Sequence, residues 1–421
     1  MSLRYLTAGE SHGTALTAIV DGFPSGLEVD FQAIDTELKR RQGGYGRGKR
    51  QQLETDRIAI DSGIYRGVTT GAPITLRLIN RDAKLEKLAE PEAPRGGHID
   101  LAGSLSHETG IRQVLERASA RETAIRVVVG ALAKQLLSHL GMDVIGYVVE
   151  LGGVAALPKS LDIVVRDASP VYTLNPEADA AIVAAIDAAK AAGDTLGGVL
   201  ETVVTGCPIG LGSHTQYDRK LDARLAAAVM SIQAIKAVEF GLGCEVARRP
   251  GSQVMDPIRY AADHDPSDRR FGFRRPTNNA GGIEGGTSNG EAILVRAYKK
   301  PISTLAARGP SIKMATKTES PASYERSDVC AVPAASVIMQ NVVAFEIAAS
   351  VIEKFGSGSL GALTEALAMA HERTRQHLAE WPPGKNQAAN LAASAPAADV
   401  SGSKTALLEK IRGGSPDQSG K

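Results

Sequence analysis

Twice in this chain a strand-like run ends in Pro-Ile, crosses a loop and passes into an apolar helix closed by glycine. The first unit reads TLGGVLETVVTGCPIG and then AAAVMSIQAIKAVEFGLG. The second reads TSNGEAILVRAYKKPIS and then AASVIMQNVVAFEIAASVIEKFGSG. Two such units can pack about a local twofold axis and share one core. Any α+β chain also offers unrelated strand–helix pairs, so the pattern leaves both readings open.

Turn residues and hydrophobic periods place the other elements. Residues 3–7 and 14–21 read as strands around AGESHG, and 31–41 as a short helix. Residues 57–80 read as strand, turn, strand, punctuated by Gly63, Gly67 and Gly71. A long amphipathic helix is predicted over 111–140, stopped by Gly141, then a strand over 143–154. An Ala-rich helix covers 176–192, with Pro176 early and Gly193 at its end. Strands follow at 198–205 and 290–298, and helices at 218–240, 334–355 and 359–380. From Pro382 the composition turns to Ala, Ser, Pro and Asn. The expected organisation is one domain, 1–381, and a mobile C-terminal tail, 382–421, with a short helix at TALLEKIR.

Charge and cysteine usage narrow the function. Forty-eight Lys and Arg face forty-seven Asp and Glu, so no general basic excess points to nucleic acid. Cys207, Cys244 and Cys330 form neither a CxxC pair nor a metal-ligand spacing, which suits a reduced, cytoplasmic setting without a metal. MSLRYLTAGESHG lacks an apolar signal segment, and no apolar run reads as long enough to span a membrane.

The positive charge is instead local. Lys39, Arg40, Arg41, Arg47, Lys49 and Arg50 fall within KRRQGGYGRGKR, which adds four glycines and no acid. Gly43 to Lys49 almost spells the phosphate loop GxxxxGK. Arg50 stands where Ser or Thr must bind magnesium, and a polar helix precedes the loop in place of a buried strand. A nucleoside triphosphatase is therefore excluded. Two readings remain. In one, glycines admit backbone N–H groups and guanidiniums clamp a small anion. In the other, the loop is simply solvated.

His12 in GESHG and His107 in GSLSHETG each sit in a small-residue turn beside a carboxylate. That context suits proton transfer and equally a structural histidine. Ile111 breaks HExxH, which excludes a zinc protease. His98, His139, His214, His264, His371 and His377 read as surface or packing residues. In RASARETAIR, Arg117 and Arg121 share a helical face near Glu122. They form an exposed ridge or, if buried, ligand-facing charges that need an anion. NNAGGIEGGTSNG, 278–290, holds five glycines, which suits close backbone approach to a flat ligand. KKPIST, 299–304, offers lysine and hydroxyls to a phosphate. SYERSDV sets Arg326 beside Asp328, a cation and a candidate base.

In this order GESHG, RRxGGYGRG, SHETG, RASARET, GGIEGGxSNG, KPIST and ERSD make the chain resemble the chorismate synthases, from its start to about residue 380. Ser303 departs from the family's usual KPIPT but leaves Lys300 and Thr304 in place. No insertion is large enough for a flavin reductase domain, so the resemblance is to the monofunctional bacterial type. It implies an α+β fold: a β-α-β sandwich, helices enclosed by two antiparallel sheets, with an internal pseudo-twofold repeat, assembled as a homotetramer.

The implied reaction belongs to the shikimate pathway of aromatic amino acid biosynthesis. It is a redox-neutral 1,4-elimination of phosphate from 5-enolpyruvylshikimate 3-phosphate, giving chorismate and requiring reduced FMN. NADPH enters only indirectly, through a separate, external flavin reductase. The resemblance makes His12, His107 and Asp328 catalytic. It gives the substrate's carboxylates and phosphate to Arg41, Arg47, Arg50, Arg117 and Arg326. Arg41 and Arg47 are sometimes associated with a nicotinamide in the family, but an acid group of the substrate is the more physical partner. For FMN it implies Arg117, Ala118, Ser119, Gln233, Ala234 and Gly285, with Lys300, Pro301, Ile302, Ser303, Thr304 and Arg326.

Two rivals make different predictions. A polyanion- or RNA-binding loop would show steep salt dependence, though aromatic residues for base stacking are sparse. An FMN-dependent oxidoreductase would consume nicotinamide in step with product.

Overall fold

Strict alternation builds the first sheet. In β1 (Arg4–Ala8) and β2 (Ala15–Asp21), Leu16, Ala18 and Val20 turn inward while Leu6 and Ile19 stay exposed. The computed structural model describes residues 2–47, 56–325, 327–356 and 358–381. Arg50, Arg326 and the expected tail, 382–421, lie outside them. Chain contacts divide into two units, Met1–Ala368 and Met369–Lys421.

After β2 come α1 (Phe31–Gln42), β3 (Ile58–Ser62) and β4 (Ile74–Ile79). The first sheet is fully antiparallel in the order β1-β2-β4-β3. Next are α2 (Asp100–His107), α3 (Ile111–Ala118) and α4 (Thr123–His139). The helix predicted over 111–140 is thus two helices. Ser119 takes φ −59° and ψ 140°, outside the helical region, and its side chain accepts from Arg121 N. The periodicity of RASARET is helical, but this serine offers the backbone another partner.

β5 (Asp143–Leu151), β6 (Val154–Ala155), α5 (Pro176–Ala191) and β7 (Gly198–Thr205) follow, then α6 (Leu221–Met230) and β8 (Ile235–Phe240). Here the helix predicted over 218–240 is corrected. It stops at Met230, and IKAVEF becomes an edge strand paired with β11. Sheet pairing overrides the helical propensity of this short run. A tight hairpin of β9 (Ile283–Glu284) and β10 (Thr287–Ser288) precedes β11 (Ile293–Lys299), α7 (Val332–Phe355) and α8 (Leu360–Ala379). The second sheet, again antiparallel, runs β8-β11-β7-β5-β6. The strands of the two Pro-Ile units, β7 and β11, are neighbours in this one sheet, but their helices differ in length and continuation.

Two long helices carry the core. α4 packs on β2 and β4 on one side and along α7 on the other, and α7 packs on β5 and β7. The two helices touch closely at Gly130, where any Cβ would collide with the Asn341 carbonyl oxygen. α7 corrects a further expectation: by length and composition it could cross a membrane. It is instead 94% buried inside the protein over its apolar window. Its small polar residues break the apolar run in the sequence and are bonded internally. Ser336 Oγ donates to Pro333 O at 2.7 Å, and Ser350 Oγ to Glu346 O at 2.9 Å.

One buried carboxylate ties α1 to both central helices. Glu37 accepts from Arg40 (3.1 Å), Lys134 (2.8 Å), Gln340 (3.0 Å) and Asn341 (2.9 Å). Burial would raise its pKa, but Lys134 and Arg40 outweigh it and bring it down to about 2. The folded value lies below the ordinary 4.5. Its stabilisation is therefore complete above about pH 4.5 and is lost as pH falls towards 2. Glu37→Gln should cost about 3–5 kcal/mol, because Lys134 and Arg40 lose this counter-charge. Urea unfolding at pH 7 and pH 3 tests this: the deficit should shrink at the lower pH.

The second unit is described over 369–381. There α8 ends, and Trp381 meets the edge of His377 at 5.6 Å between ring centroids.

Candidate active site

The break at Ser119 turns the segment between α3 and α4 into the wall of a cavity of about 520 Å³. The turn between β1 and β2, the loop after α1, the segment before α2, the link from α6 to β8, the end of β11 and the start of α7 with the segment before it complete that wall. A volume of this size suits a small-molecule site.

His12 is suspended from α3. Ser11 N donates to Glu116 O at 3.0 Å, and His12 N donates to Glu116 Oε2 at 2.8 Å. The His12 ring places Nδ1 at 2.9 and 3.0 Å from the two Glu116 oxygens. Burial would raise the Glu116 carboxyl, but His12 and Arg112 outweigh it and hold it below the ordinary range. An ionised carboxylate only accepts, so Nδ1 carries hydrogen and Nε2 is left to gain or give a proton. Asp82 Oδ2 lies 3.8 Å from that nitrogen. Arg112 braces Glu116 at 3.3 Å and reaches Glu325 at 2.7 Å.

The cationic loop begins where Gly43 N closes α1 on Lys39 O and Arg40 O. Gly46 takes φ +88°, a conformation that strains any residue with a side chain, and an added Cβ would press on Cys330 and Ile186. Arg41 and Arg47, one on either side of these fixed points, reach the cavity. Arg41 Nε donates to Thr123 Oγ1 at 3.1 Å and Nη2 to Ala120 O at 2.8 Å. Arg47 Nη1 pairs with Asp328 Oδ2 at 2.6 Å. Arg41 Nη1 and Arg47 Nε are buried with no hydrogen-bond partner among the described residues. Burial, then the charge of Arg121, lowers the Arg41 pKa. Unpaired buried guanidinium N–H groups are costly, and an anion in the cavity would satisfy them.

Arg40 is different. Its Nε and Nη2 are also buried without a hydrogen bond among the described residues, but it pairs with the carboxylates of Glu37 and Asp167 and does not line the cavity. Arg121 lines it but is held by Asp56 at 2.6 and 2.7 Å.

KKPIST forms the opposite wall. Lys300 Nζ and Ser303 Oγ both donate to Gly97 O, and Thr304 Oγ1 accepts from Arg95 Nη1 at 2.9 Å. Arg95 is fixed by Asp100, whose carboxylate also takes His98 Nδ1. Burial would raise Asp100, but His98 and Arg95 hold it well below the usual carboxylate range. Nearby, Ala234 has φ +70°, a strained conformation for a residue with a Cβ. Gln233 Oε1 is buried there without a donor among the described residues.

The structure therefore brings together His12, Arg41, Arg47 and Asp328. It adds Ala118, Ser119, Gln233 and Ala234, and Lys300, Pro301, Ile302, Ser303 and Thr304. Three expected residues lie elsewhere. His107 is exposed as the last residue of α2, a helix the small-residue composition concealed. Arg117 is exposed, its guanidinium donating to Thr7 O and Gly9 O at 3.0 Å, so it secures β1. Gly285, at φ +58°, forms the turn between β9 and β10, which explains that glycine pair without a ligand. Arg50 and Arg326 lie outside the described residues.

Sequence reasoning set His98 aside, yet it lines the cavity. The signal was the spacing RGGHID, in which Arg95 and Asp100 flank it. Glu116, 104 residues from His12, could not be paired with it from sequence.

The model of the family described as chorismate synthase matches residues 3–352. A chorismate synthase of Geobacter metallireducens is 52% identical over 375 residues, 85% of this chain and 95% of the relative. One from Geobacillus kaustophilus is 47% identical over 401 residues, 90% of this chain and all of the relative. A crystal structure of a chorismate synthase superposes with a TM-score of 0.72 at 37% identity, covering 89% of this chain and 98% of the other.

Proposed function

The chain belongs to the chorismate synthase family of lyases, and from that premise we propose that it eliminates phosphate from 5-enolpyruvylshikimate 3-phosphate with reduced FMN bound. One observation carries the reading: a carboxylate-held imidazole shares a cavity with buried guanidinium N–H groups that have no partner among the described residues. A substrate with two carboxylates and a phosphate supplies anions for them.

In this reading the C–O bond to phosphate breaks, one ring proton is lost, and no net oxidation occurs. His12, protonated at Nε2, gives its proton to the departing phosphate, and Glu116 stabilises the imidazolium that donates it. Arg41 and Arg47 hold the acid groups. Asp328, held by Arg47, is the carboxylate that assists removal of the ring proton. His98 replaces His107 as the second histidine, because it lies in the cavity wall with Asp100 fixing its ring.

The wall fits a flavin mononucleotide. Lys300 and Thr304 offer donors to a phosphate, with Ser303 beside them. Gln233 Oε1 offers an acceptor to an imide N–H, and Ala118, Ser119 and Ala234 offer small surfaces to a flat ring. When bound, the reduced flavin would supply electron density to the breaking bond and recover it. The β-α-β sandwich with a pseudo-twofold repeat, the homotetramer, the cytoplasmic location and the external flavin reductase belong to the same proposal. So does the division into a domain, 1–381, and a tail.

The test is an anaerobic assay with photochemically reduced FMN and no NADPH. Chorismate and phosphate should appear together, in equal amounts, over many turnovers per flavin. Product only after NADPH is added in air would instead make the chain its own flavin reductase.

A further inference from the structure

Lys299 ends β11 on the wrong face for its charge. Ile293, Val295 and Ala297 point into the main core, and the alternation sends Lys299 the same way, leaving it 8% exposed. There it lines the cavity. Its only hydrogen bond among the described residues is a long one, 3.4 Å from Nζ to Lys300 O. None of the described carboxylates forms an ion pair with it. A buried ammonium without a counter-ion costs free energy, and the chain would avoid that cost with an apolar residue here. The groups that act on it are Cys330 and Asp328 from the segment before α7, Arg47 from the loop after α1, and Lys300 beside it.

We propose that Lys299 is an oxyanion ligand of this cavity, donating from Nζ to a carboxylate or phosphate bound beside Arg47. The inference rests on the reading above, in which the cavity takes a polyanionic substrate and a flavin phosphate, and it names a residue that reading does not use. Burial, with Arg47 and Lys300 adding repulsion, brings the amine down to about 8. Its charge, and so its hold on an anion, is therefore complete only below that pH. A bound anion favours the ammonium, so affinity should be steady below pH 8 and fall by up to tenfold per unit above it.

The test uses the full chain with Lys299→Met and Lys299→Arg. Methionine matches the apolar pattern of β11, and arginine keeps a charge that does not titrate. Binding of 5-enolpyruvylshikimate 3-phosphate and of FMN is measured separately by calorimetry from pH 7 to 9.5. Lys299→Met should weaken one ligand by about tenfold or more and leave the other within about twofold. Lys299→Arg should bind that ligand without the loss above pH 8. Selective loss of the substrate or of FMN identifies which oxyanion Lys299 holds. Unchanged binding of both, equal loss of both, or a pH dependence that persists in Lys299→Arg overturns the proposal. Wild-type protein that binds neither ligand would overturn the functional reading itself.

Discussion

Replacing His12 with alanine is expected to lower kcat by about 10²–10⁴-fold, with KM for the phosphate ester little changed. The phosphate leaves poorly without a proton, and His12 is the imidazole whose Nδ1 is held by Glu116 at 2.9 Å, leaving Nε2 as the donor. Removing the ring removes that donor but keeps the guanidiniums that bind the substrate. The anaerobic assay with reduced FMN reads the effect. His107→Ala serves as its control, because that side chain is exposed on α2 and should leave the rate near that of the wild type. A normal rate for His12→Ala would return His12 to a structural role.

The second large effect is expected at Arg47. Arg47→Ala should weaken substrate binding by about 10²-fold or more, and FMN binding by far less. Two losses combine. The substrate loses a charge-assisted contact, and Asp328, paired with Arg47 at 2.6 Å, keeps a negative charge in the wall that now repels the ligand. Truncating one member of a buried charge pair typically costs about 2–5 kcal/mol, and each 1.4 kcal/mol is about tenfold in affinity. Calorimetry with each ligand measures both constants. Equal losses for substrate and flavin would sink the assignment.

Local signals carried much of the fold into the sequence. Turn residues and hydrophobic periods marked β1, β2, β7 and β11, and Pro176 and Gly193 marked the ends of α5, because strands and helix ends are decided by neighbouring residues. IKAVEF was illegible for the opposite reason. Its apolar spacing suits a helix, and only a partner strand far along the chain makes it an edge strand. Ser119 hid in a helical period, and its break is what opens the cavity. The site was legible where several residue types converged, as in GESHG and KKPIST. Single residue types misled. A glycine pair served a hairpin turn, an arginine served backbone carbonyls, and a histidine in a helix resembled one in a turn. His98 was missed because its value lies in Arg95 and Asp100 around it.

The helix at the centre of the core has a bearing on how the chain is made. α7 covers β5, β7 and α4, yet it is translated after nearly every element it covers. A nascent chain that has not yet released Val332 from the ribosome has α4 to cover its first sheet, but the second sheet and the other side of α4 are bare. The core cannot close during most of synthesis, and the waiting surfaces are the kind that chaperones bind and that aggregate when unguarded. α7 itself, apolar enough for a membrane, reaches its place only because a nearly complete protein is ready to receive it.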